Sequence, residues 1–289
     1  MSNTWIEAAI NGRWGKERQP GSPTTVEECI EQGVACAEAG AAIVHVHAFD
    51  PAADEEDDDA DVYARIIEGI QDRVDAVVYP TTPSTGIGVD PTVSAEERFA
   101  NHDELGRRGL LEWSVVDPGS INSTTYEAVA RDEPGDLYLN PEEHIRKGLE
   151  VAGRHGASPS YAVYEPGFIR LGAALADRFD GIGQPVYRFM FTEDFTFNYP
   201  PEPYALTSLR RLLADEAGDA PWMISGLGVD ITPLVSEAVE HGGHVRVGLE
   251  DAPLGTEKTN VEWVTHAKRE IEAAGGTVAT PDDVRSELS

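Results

Sequence analysis

A chain of 289 residues with 52 acidic against 22 basic side chains carries a formal charge of −30, which repels phosphate backbones and anionic lipid and sets nucleic acid and membrane aside as partners. No apolar run approaches the roughly 20 residues that cross a bilayer. Met1 to Thr4 lead into an apolar segment without a basic leader, so a cytoplasmic protein is expected, and the acid excess reads as the hydrated surface of a halophilic protein.

In chain order, short β-branched or apolar runs alternate with stretches of helical spacing, the rhythm of an α/β fold. Strands are predicted at Ile6–Ile10, Ala42–His47, Ala76–Tyr79, Leu111–Val116, Tyr161–Tyr164, Val186–Phe191, Trp222–Ser225 and His244–Leu249. Helices are predicted between them, among them Val26–Ala39 after the start signal Ser22-Pro23-Thr24, Ser94–Arg107, Pro141–His155 and Ile231–His241. One more helix follows Val261, and a short one starts at Pro281. Eight such units without a Gly/Ser linker predict a single (β/α)8 TIM-barrel domain over residues 1–289, with a C-terminal helical extension. A doubly wound sheet is the rival, but Asn11-Gly12-Arg13-Trp14-Gly15 lacks the G-x-G-x-x-G spacing of a nucleotide fold. The acid run Asp54 to Asp59 and Asp61 lacks the spaced Gly and terminal Glu of an EF-hand and reads as a solvated face. Cys29 and Cys36 lie two helical turns apart, too far for a disulfide, and are expected as buried thiols.

The second strand ends in His45-Val46-His47. Positions i and i+2 of a strand face the same way, so both imidazoles point into the barrel near its carboxyl mouth, where barrel active sites lie. Two ordinary core histidines are the alternative, but two buried imidazoles without a common partner are costly. In the eighth strand His244, Arg246, Gly248 and Glu250 share one face and the residues between are aliphatic, which predicts Arg246 deep and Glu250 at the mouth, followed by Asp251. Glu250 is then the third ligand of a divalent metal, zinc first, with cobalt, nickel or manganese as alternatives. A structural Arg–Glu pair is the competing reading. Glycines on this face are expected to leave room for a ligand. The loops Ser84-Thr85-Gly86, after the third strand, and Ser120 with Asn122, after the fourth, offer hydroxyls and backbone N–H groups suited to a carboxylate or carbonyl oxygen. Gly226-Leu227-Gly228 is a weaker candidate for a phosphate.

Ala8-Ala9-Ile10-Asn11-Gly12, His45-Val46-His47, Ser84-Thr85-Gly86, Gly119-Ser120-Ile121-Asn122 and Arg246-Val247-Gly248-Leu249-Glu250-Asp251 resemble the β-keto acid cleavage enzymes, and the likeness runs over almost the whole chain. The resemblance implies a zinc-bearing barrel, a homo-oligomer (dimer or tetramer), that condenses a β-keto acid with acetyl-CoA to give acetoacetate and a new acyl-CoA. It implies His45, His47 and Glu250 as metal ligands, Arg246 and Asp251 as the catalytic pair, and Ser84 with either Ser114 or Ser120 as substrate-facing hydroxyls. Asp251 is the expected general base, oriented by Arg246. The sequence departs from the family at Arg13 and Trp14, where an acidic reader of the substrate's amino group is expected and Glu17 is the nearest substitute, and at Phe49 and Ala252. A different keto acid is therefore expected. The rival functions are a metal-dependent hydrolase of the amidohydrolase kind and a non-catalytic acid-binding barrel.

Overall fold

In the computed structural model of the chain, residues 3–50, 55–83 and 93–289 are described. Eight parallel strands appear where eight were predicted: β1 Ile6–Ala9, β2 Ile43–Val46, β3 Val77–Pro80, β4 Trp113–Val115, β5 Ser158–Val163, β6 Val186–Phe191, β7 Trp222–Gly226 and β8 His244–Val247. They run in the sheet order β3-β2-β1-β8-β7-β6-β5-β4, each pair parallel. The two ends, β3 and β4, meet through the Tyr79 and Trp113 rings, 5.3 Å apart. The result is a nearly closed (β/α)8 barrel.

Each strand is followed by a covering helix: α1 Val26–Ala39, α2 Ala60–Gln71, α3 Ala100–Arg107, α4 Glu142–His155, α5 Pro166–Ala176, α6 Pro203–Ala217, α7 Val235–Glu240 and α8 Asn260–Ala273, with α9 Pro281–Glu287 last. The boundaries follow local chemistry. The cap of α1 is Thr25 rather than the Ser22 signal, in a capping box with Glu28. The predicted helix Ser94–Arg107 breaks at Phe99 into Ala95–Arg98 and α3. β5 begins three residues earlier than predicted, since Pro159 faces Ser114 in the ladder without ending the strand.

Alternation sorts the core into two layers. Val44, Val46, Tyr187 and Phe189 face outward into the layer between strands and helices, while Ile43, Tyr79, Trp113, Val186 and Met223 face the barrel axis. The amino end of the barrel is closed from below by the C-terminal segment. Ala279 and Val284 join the axial cluster, and Trp5 Nε1 donates to Glu287 at 3.1 Å. The carboxyl end carries, among the described residues, two short antiparallel strand pairs that the sequence pattern does not predict, Phe49–Asp50 with Glu55–Glu56 and Ile121–Ser123 with Asp136–Tyr138.

Candidate active site

His45 lies on the axial face of β2, and His47 is one residue past its end. Their rings meet edge to face at 5.2 Å. Glu250 reaches both: its Oε2 is 3.3 Å from His45 Nε2 and its Oε1 is 3.4 Å from His47 Nε2. One donor atom from each of the three residues falls within 4.8 Å of the others. His47 Nε2 is buried and has no hydrogen-bond partner among the described residues. Such an orphaned atom is costly unless something in the site takes it.

The imidazoles are held unequally. His47 Nδ1 meets Glu56 Oε1 at 2.5 Å, which turns Nε2 toward the cluster. Asn11 clamps the His47 backbone on both sides, accepting from its N–H at 2.8 Å and donating to its carbonyl at 2.9 Å. His45 Nδ1 has no partner among the described residues. Burial drives His45 well below the ordinary imidazole range despite Glu250. Burial also acts downward on His47, but Glu250 and Glu56 outweigh it and lift this imidazole to about 9. Burial of the Glu250 carboxyl is outweighed in turn by Arg246 and the two histidines, which hold it well below the carboxylate range. A cation held by the three groups would balance the Glu250 carboxylate charge. Two imidazoles and one carboxylate fit a borderline divalent ion.

Beneath the cluster, Arg246 is fully buried and bridges three acids. Nη1 donates to Glu7 Oε1 at 2.8 Å, Nη2 meets Glu250 Oε2 at 2.8 Å, and Nε and Nη2 donate to the two oxygens of Asp251, each at 2.9 Å. Glu7 also accepts from Tyr79 Oη at 2.6 Å. Strict alternation would send Glu250 and Asp251 to opposite faces. Both meet Arg246 because β8 ends at Val247 and the chain turns at Gly248, where φ is 142°. A Cβ on Gly248 would lie 2.1 Å from the Ala9 carbonyl oxygen, so this glycine makes room for the neighbouring strand and not for a ligand, contrary to expectation. Asp251 is 3% exposed. Burial lifts its carboxyl to about 6 against the pull of Arg246. It lies behind the cluster, against Val229, Ile231 and Trp263.

The cavity above the cluster is lined by Arg13, Trp14, Thr81, Thr82, Val115, Asp117, Ile121, Ser123, Tyr138, Ala162, Tyr164, Arg188, Phe195, Phe197 and Leu227, together with His45, His47 and Glu250. The predicted hydroxyls are not among them. Ser114 lies between the Trp113 and Val115 of the axial cluster, and so faces outward from β4, where its Oγ meets His102 Nδ1 at 2.9 Å. Ser120 is exposed and its Oγ accepts the Asn140 N–H at 2.8 Å. Asn122 is exposed, while its neighbours Ile121 and Ser123 face the cavity. Ser84, Thr85 and Gly86 lie outside the described residues. Glu17 is exposed on the one-turn helix Gly15–Arg18 and does not line the cavity. Gly226 serves its own turn, since a Cβ there would meet the Val229 carbonyl at 2.5 Å.

Sequence reading passed over Glu56, Asn11, Glu7, Asp117 and Arg188. Two of them were visible as lone charges inside apolar strands, Glu7 in β1 and Arg188 in β6, where a buried ionic side chain needs a partner. Glu56 corrects the reading of the acid run as a solvated face, and Asp59 of that run caps α2 by accepting the Asp61 N–H.

A parallel barrel with a charged, aromatic-walled cavity at its carboxyl mouth defines an enzyme of the (β/α)8 class acting on a small polar substrate. The model of the beta-keto acid cleavage enzyme (BKACE) family matches residues 3–289, and the chain belongs to that family. The 3-keto-5-aminohexanoate cleavage enzyme of Fusobacterium nucleatum subsp. nucleatum is 28% identical over 300 residues, covering 100% of this chain and 98% of that one. A 3,5-dioxohexanoate:acetyl-CoA acetone transferase of Paraburkholderia graminis is 27% identical over 290 residues, covering 93% and 89%. Among solved structures, ObcA in its binary complex with oxaloacetate superposes with a TM-score of 0.71 at 17% identity, over 93% of this chain and 67% of that one, a likeness of fold. Family membership sets aside the hydrolase reading.

Proposed function

We propose that the chain transfers the acyl part of a β-keto acid to CoA, taking acetyl-CoA as co-substrate and releasing acetoacetate and a new acyl-CoA, at a divalent metal, zinc first, held by His45, His47 and Glu250. The observation that carries this is the convergence of three buried ligand atoms within 4.8 Å at the mouth of a barrel of this family. When bound, the metal supplies Lewis-acid polarisation of the keto acid's oxygens.

The remaining chemistry falls to the chain itself. To Asp251, which lies behind the cluster and outside the described lining of the cavity, we assign the removal of the proton from the carbon between ketone and carboxylate. Asp251 Oδ2 receives one hydrogen bond among the described residues, from Arg246 Nε at 2.9 Å, and keeps a lone pair for that proton. Arg246, always protonated, orients Asp251 and balances charge. The carbanionic carbon bonds to the acetyl carbonyl carbon as CoA thiolate leaves. The thiolate then adds to the original ketone carbon, the old carbon–carbon bond breaks, and the proton returns to the carbon that becomes C2 of acetoacetate. Nothing else is consumed. Thr81 and Thr82 stand in the cavity just before Ser84, Thr85 and Gly86, the loop we assign to the substrate's oxygens. The protein in this reading is a cytoplasmic homo-oligomer adapted to high salt.

The test is direct. Purified protein should carry close to one divalent ion per chain and form acetoacetate from acetyl-CoA and a β-keto acid, and His47→Ala should lose both. Acetoacetate formation by an ion-free enzyme, or an unchanged ion content in His47→Ala, would remove the metal from the reading.

A further inference from the structure

Among the described residues three arginines are buried, and two of them spend their donors on protein acceptors. Arg98 donates to the Pro83 and Leu139 carbonyls and to Asn140. Arg246 serves Glu7, Glu250 and Asp251. Arg188, 3% exposed on the axial face of β6, makes no hydrogen bond among the described residues, and its Nε is buried without a partner. The nearest carboxylate, Asp117, stands at 3.6 Å. Both oxygens of Asp117 are already taken, Oδ1 by the Ala162 N–H at 2.7 Å and Oδ2 by the Tyr138 hydroxyl. The guanidinium in this cavity wall therefore has a buried Nε without a partner and, beyond the 3.6 Å ion pair with Asp117, no hydrogen-bonded acceptor among the described residues.

Its place gives that fork a target. In the strand order β2 and β6 stand opposite each other in a ring of eight, so Arg188 faces the His45, His47 and Glu250 cluster across the cavity they all line. The same cavity is lined by the apolar side chains of Val115, Ile121, Ala162 and Phe197, suited to a short carbon chain. At the rim Arg13 lines the same cavity and makes no ion pair among the described residues. The acids lining it among the described residues, Asp117 and Glu250, are both engaged, so neither is free to read an ammonium group.

We propose that Arg188 binds a second carboxylate on the far end of the keto acid, so that the substrate class is a 3-oxo dicarboxylate. This rests on the reading of the chain as an acetyl-CoA-dependent cleavage enzyme that anchors the keto acid end at the histidine cluster. A planar guanidinium takes a carboxylate through two parallel bonds, and a methionine in its place offers none.

The holoenzyme is assayed with acetyl-CoA and three matched 3-oxo acids whose tails end in a carboxylate, a methyl group or an amine. The carboxylate tail is expected to be preferred over the methyl tail by about tenfold or more in kcat/KM, the scale of one charge-assisted contact. Arg188→Met should erase that ratio, the loss falling on the KM of the carboxylate-tailed acid. A wild-type preference for the methyl or amine tail, or an unchanged ratio in folded Arg188→Met, overturns the proposal. Where Arg188→Met does not fold, Arg188→Lys keeps the charge without the fork, and an unchanged ratio in that variant is equally fatal. Binding of glutarate against butyrate, read by thermal shift in the same proteins, stands apart from turnover. Glutarate stabilisation that Arg188→Met abolishes supports the anion site even if no keto acid reacts with acetyl-CoA, in which case the reaction is at fault. Glutarate and butyrate acting alike in the wild type overturns the site even if turnover occurs.

Discussion

Glu56→Ala isolates the support of one imidazole from the ligands themselves. The substitution deletes the acceptor 2.5 Å from His47 Nδ1 and leaves His45, His47 and Glu250 in place. The Glu56 side chain is 22% exposed and sits on a two-residue hairpin strand, so its loss opens no core cavity. An imidazole that donates Nδ1–H to a carboxylate is fixed in the tautomer whose Nε2 lone pair faces the ion, and losing such a partner lowers metal affinity by about 10–100-fold, or about 1.4–2.7 kcal/mol. The upper part of that range is expected here, because His45 Nδ1 has no equivalent partner among the described residues. Competition of zinc between the protein and a chromophoric chelator reads the affinity, and circular dichroism confirms the fold. Glu56→Gln should fall between, since its amide oxygen still accepts the Nδ1–H bond without the charge. Unchanged zinc affinity in Glu56→Ala, beside a His47→Ala protein that has lost its ion, would refute the orienting role.

Asp251→Asn should keep the ion and the fold but lower acetoacetate formation by about 100-fold or more, the scale of losing a general base; full activity would place the base elsewhere. Arg246→Met strands Glu7, Glu250 and Asp251 around an uncharged side chain in a fully buried site, and urea denaturation should show a loss of about 3–5 kcal/mol. A loss far smaller would mean that the three acids do not depend on it. At −30 the chain repels itself, so its melting temperature should rise from about 0.01 M to about 1 M KCl as the screening length falls from about 30 Å to about 3 Å; a flat or falling curve removes the high-salt adaptation. Burial lifts both Cys29 and Cys36 to about 12, so a disulfide reagent at neutral pH should find no reactive thiol in the native protein and two after unfolding.

Alternation made the site legible where a strand is regular and hid it where the chain turns. His45 and His47 could be paired from sequence because β2 is straight and its intervening valines are apolar. Glu250 was reached by extending the same count through β8, although the strand stops at Val247 and a turn delivers it. Asp251, one residue on, shows the limit, since no period of two brings it to the same guanidinium as Glu250. The fourth strand fails for another reason. Strands of a parallel barrel are apolar on both faces, so Trp113-Ser114-Val115 gives no sign of which way Ser114 points, and the bond from His102 decides it. Glu56 was hidden by composition, because one functional acid in a run of seven looks like its neighbours, and only the pairing of Phe49–Asp50 with Glu55–Glu56 singles it out.

The seam of β2, β1 and β8 explains why the three candidate ligands converge. Ala9 is in register with His45 on one side and Ala8 with Val247 on the other, so the residue between the two ligand-bearing strands at the level of the cluster is a methyl group. One layer lower, β1 places Glu7 beside Arg246, and at the bottom Trp5 fills the axis. The inward face of β1 thus runs from large at the base to small at the mouth. Above it Gly12 completes the gap, since a Cβ there would lie 2.5 Å from the Glu250 side chain, and Trp14 fixes the Glu250 carbonyl from the rim at 3.2 Å. Two of these fittings, Ala9 and Gly12, belong to the segment Ala8-Ala9-Ile10-Asn11-Gly12, whose remaining polar member clamps His47. A stretch without a single titratable side chain, at the end of β1 and in the turn just past it, therefore sets where His47 and Glu250 stand.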